Sequence, residues 1–248
     1  MNKGASLQVL RNEWANCNKC MLCNERTNIV FGYGNPNAQV MIIGEAPGAN
    51  EDQTGLPFVG AAGNLLDQYL GQTSYREDVK QVLEDMSSTR KTDERLALLS
   101  KLRDLLLDDF YFTNVVMCRP PENRDPTPKE IEACRVRLHE QIYIVDPSLI
   151  ICAGRIATEA LLGKKVSITQ SRGDLFDIEI PGRVYPIKYP VMAVLHPSFL
   201  LRSNDFKQKG GNGAKTYNDY VRAMNLIDVH NLSHYGMAIP QNRPKKEE

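Results

Sequence analysis

Four cysteines in this sequence have the type and spacing for metal chemistry. Cys17 and Cys20 form a C-x-x-C pair near the N-terminus, and Cys118 and Cys134 follow later in the chain. Thiolates in a tetrahedral arrangement hold zinc or an iron–sulfur cluster, and spacing alone does not choose between them. The alternative interpretation is that the C-x-x-C spacing arose by chance and that Cys118 and Cys134 are ordinary buried cysteines. Cys152 lies in an apolar run and is predicted to be a core residue.

A second group of residues combines a carboxylate, an amide and an imidazole, which active sites use for proton transfer and hydrogen bonding. Glu45 lies in the Gly-Glu-Ala-Pro-Gly turn that follows one apolar run. Asn114 lies near the end of a second apolar run, and His196 directly follows a third. The chemistry of this group depends on whether the fold brings the three side chains together.

The elements that must position these residues are apolar strands alternating with amphipathic helices. Strands are predicted at residues 39–43, 110–116, 148–152 and 191–195. Helices are predicted at residues 63–70, 128–145 and 155–162, the second with a Thr127 cap and Pro in its first turn. This alternation predicts an α/β fold, a three-layer αβα arrangement with a central, mostly parallel four-stranded sheet. Ligands of such sheets bind outside the carboxyl ends of the strands, so Glu45, Asn114 and His196 should converge there.

Composition limits the class of protein. A chain of 248 residues with 42% hydrophobic content can bury one sizeable core. No apolar run approaches the roughly 20 residues of a membrane span, and the N-terminus lacks the apolar core of a signal peptide, so a cytoplasmic protein is expected. Lys plus Arg equals Asp plus Glu at 30 each, so nucleic-acid binding would need a local basic patch. Six cysteines in such a chain indicate thiols or metal ligands rather than disulfides.

The domain organisation is predicted to be simple. Residues 1–235 should form a single domain, and residues 236–248, polar and Pro-bearing, a disordered tail. Residues 74–109 hold many charges around a helical leucine pattern, which indicates a helical insertion within that domain.

Five stretches together resemble the family 4 uracil-DNA glycosylases, the iron–sulfur members of the uracil-DNA glycosylase superfamily. Besides the C-x-x-C pair, they are RTNIVFGYGNP at 26–36, GEAPGANEDQTGLPFVGAAG at 44–63, TNVVMCRPPENR at 113–124 and HPSFLLR at 196–202. Their order and spacing match over most of residues 13–202. The insertion is longer than the family usually shows. The resemblance implies an enzyme that hydrolyses the N-glycosidic bond of uracil in DNA, leaving an abasic site after base flipping.

The resemblance also implies roles for the base-recognition residues. Phe58 would stack on the flipped base, although an aromatic residue in this position is by frequency more often core. Asn114 offers an acceptor and a donor that complement uracil N3–H and O4, although Asn at a strand end is ordinarily a turn residue. Ala46 would line the base pocket, at the position where better-known uracil glycosylases carry Asp.

Catalytic roles follow for three further residues. His196 would donate a hydrogen bond to uracil O2 as negative charge collects on the base. Glu45 or Glu51 must orient water or offset the cationic sugar, and the sequence does not say which. Glu45 is the preferred candidate, with Glu51 in a supporting role.

For the metal site, the resemblance matches Cys17, Cys20, Cys118 and Cys134 to the ligands of a 4Fe-4S cluster. Cys23 lies close enough in sequence to compete and is ranked as a spare ligand. The cluster is expected to be structural, because glycosidic hydrolysis moves no electrons.

DNA contacts are predicted in two segments. Leu200 or Leu201 is the candidate wedge that fills the gap left by the flipped base, although leucines usually pack beneath a loop. Arg202 and the basic segment 207–211 are predicted to grip the DNA backbone. The loop 119–125 presents two arginines for phosphates, or for solvent alone.

A second class of function stays open at this point. The long insertion and Ala46 are compatible with a non-catalytic module that binds uracil-containing or single-stranded DNA. The expected partners are uracil-containing DNA and no membrane. A monomer is expected, with a replication or repair protein as a candidate partner through the insertion or the tail. Strand preference and activity on other deaminated bases are left open.

Overall fold

A computed structural model describes residues 2–182, 185–203, 206 and 208–234. The predicted tail, residues 236–248, and Lys207 of the basic segment lie outside the described residues. Within the described part of the chain, no helix combines the length and apolar character needed to cross a membrane.

The described residues form a mixed α/β structure around one sheet. Its strands are β1 (Tyr33–Gly34), β2 (Val40–Gly44), β3 (Phe110–Asn114), β4 (Leu149–Ala153), β5 (Leu175–Ile180) and β6 (Ile187–Val194). The helices that precede β4 are α1 (Lys3–Trp14), α2 (Ala49–Thr54), α3 (Ala61–Gln72), α4 (Glu77–Ser88), α5 (Thr92–Leu106) and α6 (Pro128–Val145). Those that follow β4 are α7 (Arg155–Leu162), α8 (Ile168–Ser171), α9 (Pro197–Arg202) and α10 (Asn212–His234). Two short 3-10 helices span Met21–Asn24 and Pro121–Asn123.

The sheet has six strands within the described residues, so the prediction of four was wrong in number. The order is β1-β3-β2-β4-β6-β5, and the four predicted strands form its parallel centre. The two additional strands pair antiparallel at the edges. Central parallel strands are buried on both faces and are therefore continuous apolar runs, whereas β1 has two residues and β5 alternates polar with apolar side chains.

The core lies on both faces of the sheet, as a three-layer arrangement requires. Along β2, Met41 and Ile43 join the apolar cluster under α1 and α6. Val40 and Ile42 point the opposite way, into the cluster formed with α3, α5 and α10. This alternation is the period of two expected of a strand.

Residues 74–109 contain α4 and α5, in agreement with the expected helical insertion. The two helices pack on each other and on α3. Val79, Val82, Leu102 and Leu106 are buried in the same cluster as one face of the sheet. The insertion thus shares its core with the sheet.

Helix α6 shows how closely local signals predicted a helix. Thr127 caps it by accepting a hydrogen bond from the backbone N–H of Glu130, and Glu130 Oε2 accepts one from the N–H of Thr127 at 2.7 Å. This reciprocal pair is a capping box, and Pro128 occupies the first turn, where no backbone N–H is needed.

Candidate active site

The carboxyl ends of the central strands meet at one edge of the sheet, where the structure has a cavity of about 320 Å³. In the sheet register Gly44 pairs with Asn114, and Ala153 pairs with Val194. The cavity is lined by Glu45, Ala46, Gly154, Arg155, Ile156, Ile168, Thr169, Leu195, His196, Ser198, Phe199 and Arg202. Four residues predicted for the site are therefore brought together: Glu45, Ala46, His196 and Arg202.

His196 lines the cavity, and its hydrogen bonds fix which ring nitrogen can donate. Its Nδ1 accepts a hydrogen bond from the backbone N–H of Ser198 at 3.1 Å, and Ser198 Oγ lies 2.8 Å from the same nitrogen. Because Nδ1 accepts, the neutral ring carries its proton on Nε2. Burial, and secondarily the charge of Arg202, lower the pKa of His196 to about 4. At neutral pH the ring is uncharged and donates through Nε2.

Gly154 makes room for this imidazole. It has a φ of 96°, which favours glycine, and a side chain there would approach His196 Cβ to 2.9 Å. The residue connects β4 to α7, so the bare backbone at this connection forms the wall against which His196 packs.

The carboxyl group of Glu45 has a pKa close to neutral pH. It directly follows β2, and burial raises its pKa to about 7. That value already includes the nearby charge of Asp125, which also raises the pKa, and that of Arg155, which lowers it. Asp125 and Arg155 are themselves ion-paired at 2.8 Å. A carboxyl with such a pKa can take a proton from water near pH 7.

Glu51 does not line this cavity but holds the loop that carries Glu45. Its Oε2 accepts a hydrogen bond from the N–H of Gly48 at 3.1 Å. Its Oε1 accepts hydrogen bonds from Val59 and Gly60, at 2.9 and 2.8 Å. Its carboxylate thus ties two turns of the same motif together, and the supporting catalytic role expected for Glu51 stays a prediction.

Phe58 and Asn114 meet behind the cavity, at Gly44. A side chain at Gly44 would collide with Asn114 Oδ1 and would lie 2.6 Å from Phe58 Cζ, so only glycine permits this approach. Both side chains are buried and neither lines the cavity. Both side chains contact Gly44, and the next residue, Glu45, lines the cavity.

The two candidate wedge leucines both lie on α9, but one is buried and the other is exposed. Leu200 has no exposed surface and packs in the core, so it is not available to enter DNA. Leu201 is 47% exposed, and Phe199, which the sequence did not single out, is 41% exposed and lines the cavity. Arg202 lies exposed in the last turn of α9, and no ion pair of Arg202 occurs within the described ranges. Of the two leucines, only Leu201 is exposed, and its role as the wedge stays a prediction.

The four predicted cysteines line one small cavity of about 10 Å³. Cys17 and Cys20 face Cys118 and Cys134 across it, and Cys23 also lines it. Across the described part of the chain, no three His, Cys, Asp or Glu side chains are grouped closely enough to hold a single metal ion. A cluster, whose ligands bind separate iron atoms, needs its sulfurs farther apart than one ion does. Cys152 is fully buried in β4, as predicted.

Two cations lie beside these sulfurs. Arg26 Nη1 donates a hydrogen bond to Cys118 Sγ at 3.3 Å. Arg137 has no exposed surface and, within the described residues, no carboxylate partner, and it lies close to Cys134 and Cys118. A buried cation without a counter-ion is costly. Four thiolates holding a cluster would supply the missing negative charge, so the residues fit a cluster.

Arg137 also contacts the end of β3. Its Nη2 donates hydrogen bonds to the carbonyls of Asn114 and Val115, at 3.0 and 2.7 Å. Its Nη1 donates to Gln141 Oε1 at 2.6 Å. One buried guanidinium therefore lies between the cysteines and the end of β3.

Both arginines of the loop 119–125 form hydrogen bonds with other side chains of the protein. Arg124 forms a bidentate ion pair with Glu130, at 2.9 and 2.7 Å, and this pairing contributes most to lowering the pKa of Glu130 to about 2. Arg119 Nε donates to Asn123 Oδ1 at 2.8 Å. Arg124 thus fastens the loop to α6, which leaves Arg119 as the better candidate for a phosphate contact.

Sequence reasoning missed several residues that shape the site. Ser198 fixes the tautomer of His196, and Asp125 and Arg155 set the charge around Glu45. Ser198 could have been identified from its place in the motif, whereas Asp125, in the loop before α6, and Arg155, at the start of α7, are brought to Glu45 only by the fold.

Comparisons with known proteins agree with this architecture. A family model described as the uracil DNA glycosylase superfamily matches residues 31–222. A type-4 uracil-DNA glycosylase of Archaeoglobus fulgidus is 33% identical, over 87% of this chain and 99% of its own. One of Sulfurisphaera tokodaii is 37% identical, over 82% and 83%. One of Thermotoga maritima is 36% identical, over 82% and 88%.

Proposed function

The chain belongs to the type-4 uracil-DNA glycosylases of the uracil-DNA glycosylase superfamily, and we propose that Glu45 and His196 carry out uracil excision across the cavity at the sheet edge. The reaction hydrolyses the N-glycosidic bond between uracil and deoxyribose and leaves an abasic site. The base must leave the duplex stack before the bond is accessible.

The hydrogen bond from Ser198 N–H to His196 Nδ1 carries this assignment. It leaves the proton of the neutral ring on Nε2, and since His196 lines the cavity, this N–H is the donor we assign to uracil O2. As the glycosidic bond breaks, negative charge collects on the base, and a donor already in position stabilises that charge. Removing such a donor typically costs about 3 kcal/mol of transition-state stabilisation.

Glu45 supplies the carboxylate for the sugar. In its ionised form it orients a water molecule and offsets the positive charge that develops on the deoxyribose. Arg155 favours the ionised form and Asp125 opposes it. Ala46, with its small side chain, leaves the cavity open beside Glu45.

Base selection is assigned to the pair behind the cavity. The Asn114 amide offers an acceptor for uracil N3–H and a donor for O4, whereas cytosine presents the opposite pattern. Phe58 supplies an aromatic face, and stacking on such a face is worth roughly 1–3 kcal/mol per base. Gly44 supports this pairing, because only glycine lets both side chains approach the end of β2.

DNA contacts are assigned to α9 and the segment after it. Leu201 is exposed and fits the wedge that replaces the flipped base in the stack. Arg202, Arg119 and Lys209 are the cations assigned to the phosphates.

The cysteine cavity is proposed to hold a 4Fe-4S cluster through Cys17, Cys20, Cys118 and Cys134. When bound, the cluster supplies a rigid cross-link and negative charge rather than electrons. Cys17 and Cys20 thereby fasten the N-terminal segment to Cys118, which follows β3. Thiolate ligands persist in a reducing compartment, so a cytoplasmic location is part of the proposal.

A strand-cleavage assay tests the activity. A labelled single-stranded oligonucleotide with one uracil is incubated with the protein, and alkali then cleaves at abasic sites. Cleavage is expected with uracil and not with cytosine or thymine at the same position, and it should be much slower in Glu45→Gln. Tight binding of the uracil oligonucleotide without cleavage would instead indicate a non-catalytic binding module.

A further inference from the structure

The helical insertion contacts the loop that presents Phe58. Arg103 of α5 is buried, and its Nη2 donates a hydrogen bond to the carbonyl oxygen of Phe58. Its Nε forms an ion pair at 2.9 Å with Asp67 of α3, which is also buried. Arg103 therefore connects the insertion, α3 and the loop of Phe58.

Arg103 contacts the aromatic layer as well. Its guanidinium lies over the ring of Phe112, 4.8 Å from the ring centroid. Phe112 in turn packs edge-on against Phe58, with centroids 6.1 Å apart and planes at 60°. Arg103 therefore contacts the carbonyl of Phe58 directly and supports the ring of Phe58 indirectly, through Phe112.

The backbone of Phe58 needs such support. Its φ is 57°, a left-handed conformation that a bulky residue adopts only when its surroundings impose it. Gly63 lies so close to the Phe58 carbonyl that no side chain fits there. Glu51 holds the next two amides, those of Val59 and Gly60. Arg103 provides the hydrogen bond on the carbonyl side.

We propose that Arg103 and Asp67 are positioning residues for the stacking face of the base pocket, so that the insertion holds Phe58 in its strained conformation. The proposal rests on the function assigned to Phe58 above. Stability alone is a weak reason for the pair, because apolar residues of similar volume often replace a buried ion pair without loss. The hydrogen bond to the Phe58 carbonyl requires the guanidinium.

A double-mutant cycle tests the proposal. Single-turnover excision of uracil from a single strand is measured for wild type, Arg103→Met, Phe58→Leu and the double variant. Arg103→Met should slow excision about tenfold, since small displacements of positioned groups have effects of this order. In the Phe58→Leu background the same change should have little further effect, because the ring it positions is gone. Affinity for the oligonucleotide should stay within about twofold.

Arg76→Met is the matched control. Arg76 belongs to the same insertion and pairs with Asp78 and Asp109, at 2.7 and 3.1 Å, but it does not contact the Phe58 loop. Its loss should lower the melting temperature and leave the excision rate within about twofold. A rate loss in Arg76→Met equal to that in Arg103→Met would show that any weakening of the insertion slows excision, and would overturn the proposal.

Two further outcomes separate the possible failures. If Arg103→Met slows excision by the same factor in both backgrounds, Arg103 does not act through Phe58 and the proposal fails, while the function of Phe58 stands. If Phe58→Leu excises uracil at the wild-type rate, the stacking role itself is wrong and the proposal falls with it. Should Arg103→Met not fold, Arg103→Lys keeps a cation beside Asp67 and enters the same cycle, with the same expected non-additivity.

Discussion

The pH dependence of excision should be set by Glu45 and should move in opposite directions when its two charged neighbours are removed. The pKa of Glu45 is raised to about 7, and that of His196 is lowered to about 4. Above pH 5 His196 therefore stays neutral, and the acid limb of the rate profile belongs to Glu45. With a pKa of about 7, about 91% of Glu45 is ionised at pH 8 and about 9% at pH 6, so single-turnover excision should fall about tenfold between them.

The two neighbours give a signed test. Asp125→Asn removes a negative charge and leaves Arg155 paired with Glu159 alone, so both effects favour the ionised form of Glu45 and move the acid limb to lower pH. Arg155→Met removes the positive charge and frees Asp125, which moves the limb to higher pH. Each shift should be about half a unit to one unit, as expected for partly screened charges.

The assay is single-turnover cleavage of a uracil oligonucleotide between pH 5.5 and 9 at constant ionic strength. Glu45→Gln serves as the control, and its residual rate should not depend on pH in this range. The reasoning would be refuted if both neighbouring variants shifted the limb the same way, or if the limb persisted in Glu45→Gln.

Three further predictions concern the donor, the wedge and the cluster. His196→Leu should lose on the order of 100-fold in excision rate and lower the melting temperature by only about 2–4 °C, because the side chain also caps α9; a rate loss below fivefold would remove His196 from the transition state. Leu201→Ala should lose more activity on uracil in a duplex than on uracil in a single strand, as paired rate measurements would show. Leu200→Ala should instead lower the free energy of unfolding by about 2–5 kcal/mol, measured by urea titration, and reduce activity on both substrates alike. Anaerobically purified protein should contain about four irons per chain with broad absorption at about 400 nm, and Arg137→Met should reduce the iron content, because the buried counter-charge is lost; zinc without iron would contradict the assignment.

The central architecture was predictable because its signals are local. The four parallel strands are uninterrupted apolar runs, and their predicted positions lie within a few residues of β2, β3, β4 and β6. Helix α6 has its cap, proline and capping box within four residues of sequence. The edge strands were missed, because β1 is only two residues long and the outward side chains of β5 are polar.

The roles of individual side chains were predictable only in part. Leu200 and Leu201 are the same residue type in adjacent positions, and only the orientation of α9 buries one and exposes the other. Glu45 and Glu51 are both acidic residues of one loop. The Glu51 carboxylate accepts hydrogen bonds from backbone amides, whereas Glu45 lines the cavity.

The sequence by itself determined the family, the parallel centre of the sheet and the convergence of Glu45 and His196 at one edge, because periodicity, turn residues and motif spacing are properties of short segments. Only the tertiary structure decided which charges surround Glu45, which leucine is exposed and how the insertion reaches Phe58. Arg103 lies 45 residues from the carbonyl that it holds, and Asp125 and Arg155 are 30 residues apart. Contacts over such separations arise when helices pack on the sheet, and no local pattern of residues specifies them.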